Sequence, residues 1–290
     1  MSQFVQLTVY GLANGAVLAL AALGFVLIYK ATSVINFAQG DLLLVGAYLF
    51  YFAFVVFQLP LVAAVIAGVA AAALLGIAIE RLVLRPLIGQ DPIAVIMVSI
   101  GLSVVLKNIV TMFYGIQPVG RQPRVLPTGT VSIAGATVPL NRIAAIAVAL
   151  LVLAAFTAFF RWSRHGIAMR AVADDQQAAL AQGISVRRVF AMAWALAAVS
   201  ALAGGVLLAN IDTLSGNLST YGLIVFPVVI LGGLDSVPGT IVGGAVIGLV
   251  NAYADRLFAG ASEWVPYVVL LLILLLRPYG LFGQPRIERV

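Results

Sequence analysis

The stretch VQLTVYGLANGAVLALAALGFVLIY, residues 5–29, decides the class of fold because it contains no charged side chain. A helix needs about 20 mainly apolar residues to cross the hydrocarbon core of a bilayer, and this stretch supplies them. Its apolar residues do not alternate with polar ones in a period of two, which favours a helix over a barrel strand. It lacks the basic start and the cleavage site of a signal peptide, so we expect it to be retained as the first span.

The composition extends this conclusion to the whole chain. Of 290 residues, 63% are hydrophobic and only 9% are charged, too apolar a balance for one water-soluble core. The absence of cysteine excludes disulfides and thiolate metal sites. We therefore predict an all-α polytopic membrane protein in which residues 1–290 form a single transmembrane domain. The predicted spans cover residues 5–29, 41–58, 60–79, 93–114, 143–160, 189–209, 222–233, 239–258 and 264–277.

The number of spans depends on one region. The run 222–233 is too short to cross a bilayer alone. If residues 222–258 fold as one broken element the chain has eight transmembrane or broken helices, and otherwise it has nine. The sequence leaves both possibilities open.

The basic residues give the orientation, because cytoplasmic loops carry an excess of Lys and Arg. An N-terminus outside and a C-terminus in the cytoplasm give the larger basic group to the cytoplasm, which explains the net charge of +6 without a nucleic-acid partner. The cytoplasmic group is Lys30, Arg81, Arg85, Arg161, Arg164, Arg170, Arg187, Arg188, Arg277, Arg286 and Arg289. The outer group is Arg121, Arg124, Arg142 and Arg256.

The longest polar stretch, MRAVADDQQAALAQGISVRRVF, runs from Met169 to Phe190 between two predicted spans on the cytoplasmic side. Asp174 is placed to cap a short helix, and Gln177 can reach back to complete a capping-box-like pair. Gly183 is placed to end that helix in a left-handed conformation, with Ile184 closing the hydrophobic contact. The segment is either an ordinary solvated loop or a helix that docks in a groove of a cytoplasmic partner.

Sequence blocks across the chain resemble a known family. QAALAQG, residues 177–183, is similar to the cytoplasmic motif of ABC-importer permeases, although Gln177 stands where many of them carry Glu. Three further blocks resemble the LivH-type permeases of branched-chain amino acid ABC transporters, in the family's order. Gln39 and Asp41 depart from the His and Glu that are frequent there. The blocks are INFAQGDLLLVGAY, RAVADDQQAALAQGISVRRVFAMAWALAAVSALAGGVLL and LGGLDSVPGTIVGGAVIG.

This resemblance implies a multi-pass permease of the bacterial cytoplasmic (inner) membrane. It implies a second permease subunit, similar or identical, two ATPase subunits that carry ATP and Mg, and an extracytoplasmic substrate-binding protein. It also implies that residues 161–188 form a cytoplasmic coupling segment and that this chain holds no cofactor or metal and is not itself an enzyme. The predicted ATPase-coupling residues are Asp174, Gln177, Ala178, Ala179, Leu180, Gly183 and Ile184.

The sequence agrees with a separate ATPase. A P-loop requires Gly-Lys-Ser/Thr after a Gly-rich turn. The only lysines are Lys30 and Lys107, which follow Tyr29 and Leu106. The energy for transport is therefore expected from a partner.

Two interruptions of the apolar helices are candidates for the substrate pathway or gate. SVINFAQGD, Ser33–Asp41, follows the first span, and LGGLDSVPGT, Leu231–Thr240, interrupts the region 222–258. Paired interruptions in a transporter point to a binding site, but each segment also fits a turn between spans. The predicted pathway or gate residues are Asn36, Gln39, Gly40, Asp41, Gly232, Gly233, Ser236, Pro238 and Gly239.

Other interpretations remain open at this point. A secondary, ion-coupled transporter of small polar solutes needs carboxylates inside its spans, and Asp41 comes nearest to one. An intramembrane enzyme would need a nucleophile, a base or a metal site, and the chain has no Cys and only one His. Lys107 is either functional or extends to the interface, and Gly244 with Gly248 has the spacing of close helix packing. The substrate could be an amino acid, an amide or urea.

Overall fold

The computed structural model describes residues 2–283, which fold into helices and one two-stranded antiparallel sheet. Within this range seven helices are long and apolar enough to cross a membrane, and two shorter apolar helices, Gly216–Gly232 and Val265–Leu276, accompany them. The predicted class, a helical multi-pass membrane protein, is confirmed. Arg286 and Arg289, assigned above to the cytoplasm, lie outside the described residues.

The helices follow the predicted apolar runs closely. Residues 222–258, where the sequence left one broken element or two open, form two separate helices. The helices are α1 (Ser2–Thr32), α2 (Gln39–Tyr51), α3 (Leu61–Ile79), α4 (Pro92–Tyr114), α5 (Leu140–Trp162), α6 (Arg164–Asp174), α7 (Gln176–Ala181), α8 (Val186–Ile211), α9 (Tyr221–Gly232), α10 (Val237–Leu257) and α11 (Val265–Leu276). The strands are β1 (Thr130–Ile133) and β2 (Ala136–Pro139).

Helix α1 is the centre of the bundle. It packs antiparallel to α10 through glycines, with Gly11 against Gly248 and Gly15 against Gly244. A Cβ atom on Gly15 would overlap the carbonyl oxygen of Gly244, so the two backbones touch directly. Small residues allow this close approach in a bilayer. The packing role predicted for Gly244 and Gly248 is therefore confirmed.

The connection from α1 to α2 turns back into the bundle. The chain leaves α1 after Thr32, and Ser33 adopts a left-handed backbone with φ 57°. The Nε2 atom of Gln39 lies where a Cβ atom on Gly24 would be, and Gly24 is more than two turns before the end of α1. Since a helix rises 1.5 Å per residue, the side chain of Gln39 reaches a level about 12 Å inside the bundle from Thr32. The first interruption therefore lies at depth.

The opposite end of the bundle carries the strands and is tied together by side chains. The amide oxygen of Asn210 accepts hydrogen bonds from the backbone N–H groups of Val125 (2.8 Å) and Leu126 (3.1 Å). Asn141 donates from Nδ2 to the carbonyl oxygen of Asn210 (3.0 Å). The loop before the strands is thus fixed to the end of α8. We call this the Asn210 end, and the opposite one the Lys30 end.

Candidate functional site

A row of polar side chains runs between α4 and the start of α2. Ser99, Ser103 and Lys107 are four residues apart on α4 and so share one face. The hydroxyl of Ser99 accepts a hydrogen bond from the backbone N–H of Phe37 (3.2 Å), and the hydroxyl of Ser103 donates to the carboxylate of Asp41. Lys107, half-buried, lies one turn further along this face. We call Asp41, Ser99, Ser103 and Lys107 the polar seam.

The first interruption leaves buried polar atoms without partners. Asn36 and Gln39 are 2% exposed and Asp41 is 5% exposed. Among the described residues, Asn36 Nδ2, Gln39 Oε1 and Asp41 Oδ1 have no hydrogen-bond partner. Each such atom costs about 1–3 kcal/mol when nothing satisfies it. Three of them within one short segment point to contact with water or a polar ligand.

These side chains diverge from the segment instead of meeting at one point. Gln39 lies between α1 and α8, where its Nε2 donates to the carbonyl oxygen of Ala197 (3.5 Å). Asp41 faces α4. Asn36 lines a cavity at the Lys30 end. The predicted residues of this interruption therefore lie in three adjacent places. Asp41 belongs to the polar seam, Gln39 lies between α1 and α8, and Asn36 lines the cavity nearer the Lys30 end.

The cavity, which we call the inner cavity, has a volume of about 210 Å³. Its wall includes Asn36, Ser99 and the pair Glu80–Arg85. Glu80 is 1% exposed, and its two oxygens accept hydrogen bonds from Arg85 Nε (3.1 Å) and Nη2 (2.7 Å). Gln176, the first residue of α7, completes the wall on the side of the polar stretch. Sequence reasoning did not single out Glu80 or Arg85 for this site.

The second interruption has a different environment. The structure places Gly232, Gly233, Ser236, Pro238 and Gly239 at the turn between antiparallel α9 and α10, at the Lys30 end. Ser236 caps α10, accepting a hydrogen bond from the backbone N–H of Gly239 (3.1 Å). Gly232 and Gly239 pack backbone to backbone. None of these five residues lines the inner cavity, whereas Ser33 of the first interruption and Leu234 and Asp235 of the second line another groove at the same end.

The residues after α11 cover this turn. The backbone N–H groups of Leu281 and Phe282 donate to the carbonyl oxygens of Leu231 (2.8 Å) and Gly232 (3.1 Å). Gly233, with φ 105°, leaves no room for a Cβ atom beside Gly283. Two terminal carbonyls of α9 are thereby satisfied by hydrogen bonds from outside the helix. The glycines of this block serve close backbone packing.

The start of α9 packs directly on the first interruption. A Cβ atom on Gly40 would overlap the Cα atom of Gly222 and lie 2.9 Å from the carbonyl oxygen of Ser219. The preceding stretch Asp212–Thr220, DTLSGNLST, was missed as a site element. Its signal is a cluster of Ser, Thr, Asn and Gly before an apolar run too short to span.

The polar stretch between α5 and α8 forms helices α6 and α7, and the predicted cap needs correction. Asp175 caps α7, since its Oδ1 accepts from the backbone N–H groups of Gln177 (2.8 Å) and Ala178 (2.9 Å). Asp174 is the last residue of α6 and cannot adopt the extended backbone of an N-cap. The reason is that α6 extends through Asp174, so the cap falls one residue later. Gln177 is then the second residue of α7, and the predicted capping-box-like pair with Asp174 is wrong.

The predicted end of this short helix is confirmed. Gly183 has φ 80°, and the backbone N–H of Ile184 donates to the carbonyl oxygen of Ala179 (3.0 Å), the bond of a glycine helix stop. Ala179 is buried against the bundle, whereas Leu180 is 57% exposed. Helix α7 is therefore anchored on one side and presents an apolar side chain on the other.

A membrane-spanning helical bundle with unsatisfied polar groups in its interior is the architecture of a transport protein. The model of the family described as "Branched-chain amino acid transport system / permease component" matches residues 7–277. The chain belongs to this family.

Relatives of known designation match over nearly their full length. The chain is 31% identical to the high-affinity branched-chain amino acid transport system permease protein BraD of Pseudomonas aeruginosa, covering 99% of this chain and 98% of that one. It is 30% identical to LivH of Escherichia coli (strain K12), with the same coverage. A probable LivH of Methanocaldococcus jannaschii is 27% identical over 92% of this chain and 88% of its own. No solved structure matches the chain.

Proposed function

We propose that this protein is the membrane-spanning permease subunit of an ABC importer for branched-chain or related amino acids. The observation that carries the proposal is the family match over residues 7–277, together with relatives of that designation over almost the entire chain. The protein acts in the bacterial cytoplasmic membrane, with its N-terminus outside, its C-terminus in the cytoplasm and the Lys30 end on the cytoplasmic side. Its spans number eight or nine, depending on how α9 crosses.

The working unit contains further subunits. Two permease chains, similar or identical, form the pathway, two ATPase subunits bind ATP and Mg, and an extracytoplasmic binding protein delivers the substrate. The relatives are designated as permease proteins of a transport system, which supports a multicomponent system. The sequence supports a separate ATPase, because neither lysine follows a Gly-rich turn.

Helix α7, within the coupling segment 161–188, receives the motion of the ATPase. Asp175 fixes its start and Gly183 its end, so its direction is defined. Leu180 projects away from the bundle, which suits insertion into an apolar groove on a partner. A six-residue helix is not stable alone in water, so both its anchoring and its partner contribute to its order.

The substrate pathway runs along the first interruption and the polar seam. Asn36, Gln39 and Asp41 supply buried polar atoms free to contact a moving ligand. Gly40 packs on Gly222, which lets α9 transmit movement to this segment. The second interruption, Leu231–Thr240, has a structural role as the turn between α9 and α10 at the cytoplasmic end.

Reconstitution tests the proposal. The complex in proteoliposomes should take up leucine with ATP and the loaded binding protein, and this chain alone should transport nothing. Uptake driven by an ion gradient through this chain alone would establish an ion-coupled transporter instead, a mode in which Asp41 would be the coupling carboxylate.

Two variants test the role of α7. Leu180→Asp should abolish stimulated ATP hydrolysis and uptake together, because docking would bury an unpaired charge. Gly183→Val should do the same, since a β-branched residue opposes the left-handed backbone that ends the helix. Ser185→Asp is the matched control, because it adds the same charge at the exposed N-cap of α8, where Asp is well tolerated. Normal stimulation of ATP hydrolysis in both test variants would show that this segment is an ordinary solvated loop without a coupling role.

A further inference from the structure

We propose that the inner cavity is a binding site for the transported amino acid on the cytoplasmic side of the permease. This inference rests on the proposed function and adds to it a site and the groups that recognise the ligand. None of the pathway residues predicted from the sequence other than Asn36 lines this cavity.

The cavity has the size and the apolar surface for a branched side chain. Its volume of about 210 Å³ is many times the roughly 15 Å³ that a single water molecule requires. Ile28, Val95, Phe190 and Trp194 contribute apolar walls. A cleft with a mainly apolar surface and polar groups that fix the orientation of the ligand is the usual form of a small-molecule site.

The polar groups of the cavity suit a zwitterion. Asn36 uses Oδ1 to accept from the backbone N–H of Ala38 (3.0 Å), while its Nδ2 donor is buried and has no partner among the described residues. Arg85 donates hydrogen bonds from Nε and Nη2 to Glu80, and its guanidinium group has further N–H groups that can donate to a ligand. The cavity thus offers donors for a carboxylate at Asn36 and Arg85.

Glu80 provides the opposite charge. It is buried beside the cavity and each of its oxygens accepts one bond from Arg85, although a carboxylate oxygen can accept more than one. An ammonium group of the ligand can therefore join Glu80 without displacing Arg85. A ligand with both charges can add one charge-assisted hydrogen bond on each side of this ion pair, whereas a ligand with one charge can add a bond on one side only.

The position of the cavity connects it to the coupling segment. Gln176, the first residue of α7, forms part of the wall, and Ser33–Asn36 of the first interruption forms another part. An amino acid bound here therefore contacts both the end of the pathway and the start of the docking helix. We expect that a high internal amino acid concentration occupies the site and slows further uptake.

Equilibrium dialysis with radiolabelled leucine tests the site directly. The assembled permease–ATPase complex in nanodiscs, without nucleotide or binding protein, should bind leucine. 4-Methylpentanoate, which is leucine without the ammonium group, and isoamylamine, which is leucine without the carboxylate, should compete at least about tenfold more weakly, as expected when a charged hydrogen bond is lost.

Two variants and one control separate the site from general effects on folding. Asn36→Asp keeps the acceptor for Ala38 and replaces the free donor with a negative oxygen, so leucine affinity should fall about tenfold or more. Val95→Trp should fill the cavity and abolish binding. Asn251→Asp makes the same chemical change on α10, outside the cavity, and should bind leucine as the wild type does.

The outcomes distinguish this site from the proposed function. ATP-driven leucine uptake by the wild type without leucine binding in the dialysis would overturn the site and leave the function standing. Binding that is unchanged in Asn36→Asp and Val95→Trp would also overturn it. Failure of the wild-type complex to take up any branched-chain amino acid would overturn the proposed function on which the site rests.

Discussion

The two interruptions of the apolar helices have similar sequences and opposite environments. Both combine glycine, polar residues and one aspartate, and both lead directly into a helix. In Ser33–Asp41 the chain returns into the bundle and leaves Asn36, Gln39 and Asp41 with unpartnered buried atoms. In Leu231–Thr240 the chain makes a turn in which Ser236 caps α10 and the carbonyl oxygens of Leu231 and Gly232 accept hydrogen bonds.

This difference shows how to tell a functional break from a structural one. A break that serves only to reverse the chain can satisfy its polar groups locally, as Ser236 does by capping α10. A break that retains orphan atoms carries a free-energy cost of folding, which is typical of sites that bind something. Substitutions should therefore affect function in the first segment and stability in the second.

The largest expected effect is that of Asp41→Asn. The change keeps the shape of the side chain and removes a charge from the spans, so thermal stability should stay the same or rise. Uptake should fall more than about tenfold if the carboxylate contacts the moving substrate through a charged hydrogen bond. Uptake assays and thermal unfolding on the same preparation measure both. Wild-type uptake in this variant would show that the polar seam does not line the substrate pathway.

Gly233→Ala, in the second interruption, should have the opposite effect and lower stability without lowering uptake. The alanine would meet a positive φ of 105° and the backbone of Gly283, and such strain costs about 1–3 kcal/mol. We expect a lower unfolding temperature and a normal uptake rate per folded complex. Gly101→Ala is the control, since a Cβ atom there meets open space. A transport defect without a loss of stability would make this turn part of the gate.

The smallest effect is expected for Ser236→Ala. It removes the N-cap of α10, which typically costs about 1 kcal/mol. Ser236→Asp should restore the stability because Asp also caps helices well, and uptake should be unchanged in both. Loss of uptake in Ser236→Ala that Ser236→Asp does not restore would contradict a purely structural role for this serine.

The sequence predicted much of the fold because its signals are local. Long uncharged runs located the helices, and Gly183 correctly indicated the end of α7 because only glycine adopts that backbone at low cost. The adjacent Asp174 and Asp175 could not be ranked as caps, since the choice depends on how far α6 extends. A cap pattern does not encode the length of the preceding helix.

Contacts between distant or irregular elements were not predictable in this way. Glu80 and Arg85 are five residues apart, a spacing that does not bring side chains together on an α-helix. They meet because residues Glu80–Leu84 form a π-helical turn, which aligns residues five apart. The packing of Gly40 on Gly222 likewise joins segments far apart in sequence, and no local pattern reports it.

The most direct test of the account compares two buried serines in a chain without cysteine. Ser99 lies on the polar seam and Ser200 lies between α8 and α1, and they are 1% and 0% exposed. During ATP-driven turnover with loaded binding protein, Ser99→Cys should react with a small hydrophilic methanethiosulfonate at least about tenfold faster than Ser200→Cys, since thiol reactivity requires access. Equal, slow modification of both variants would contradict a substrate pathway along the first interruption.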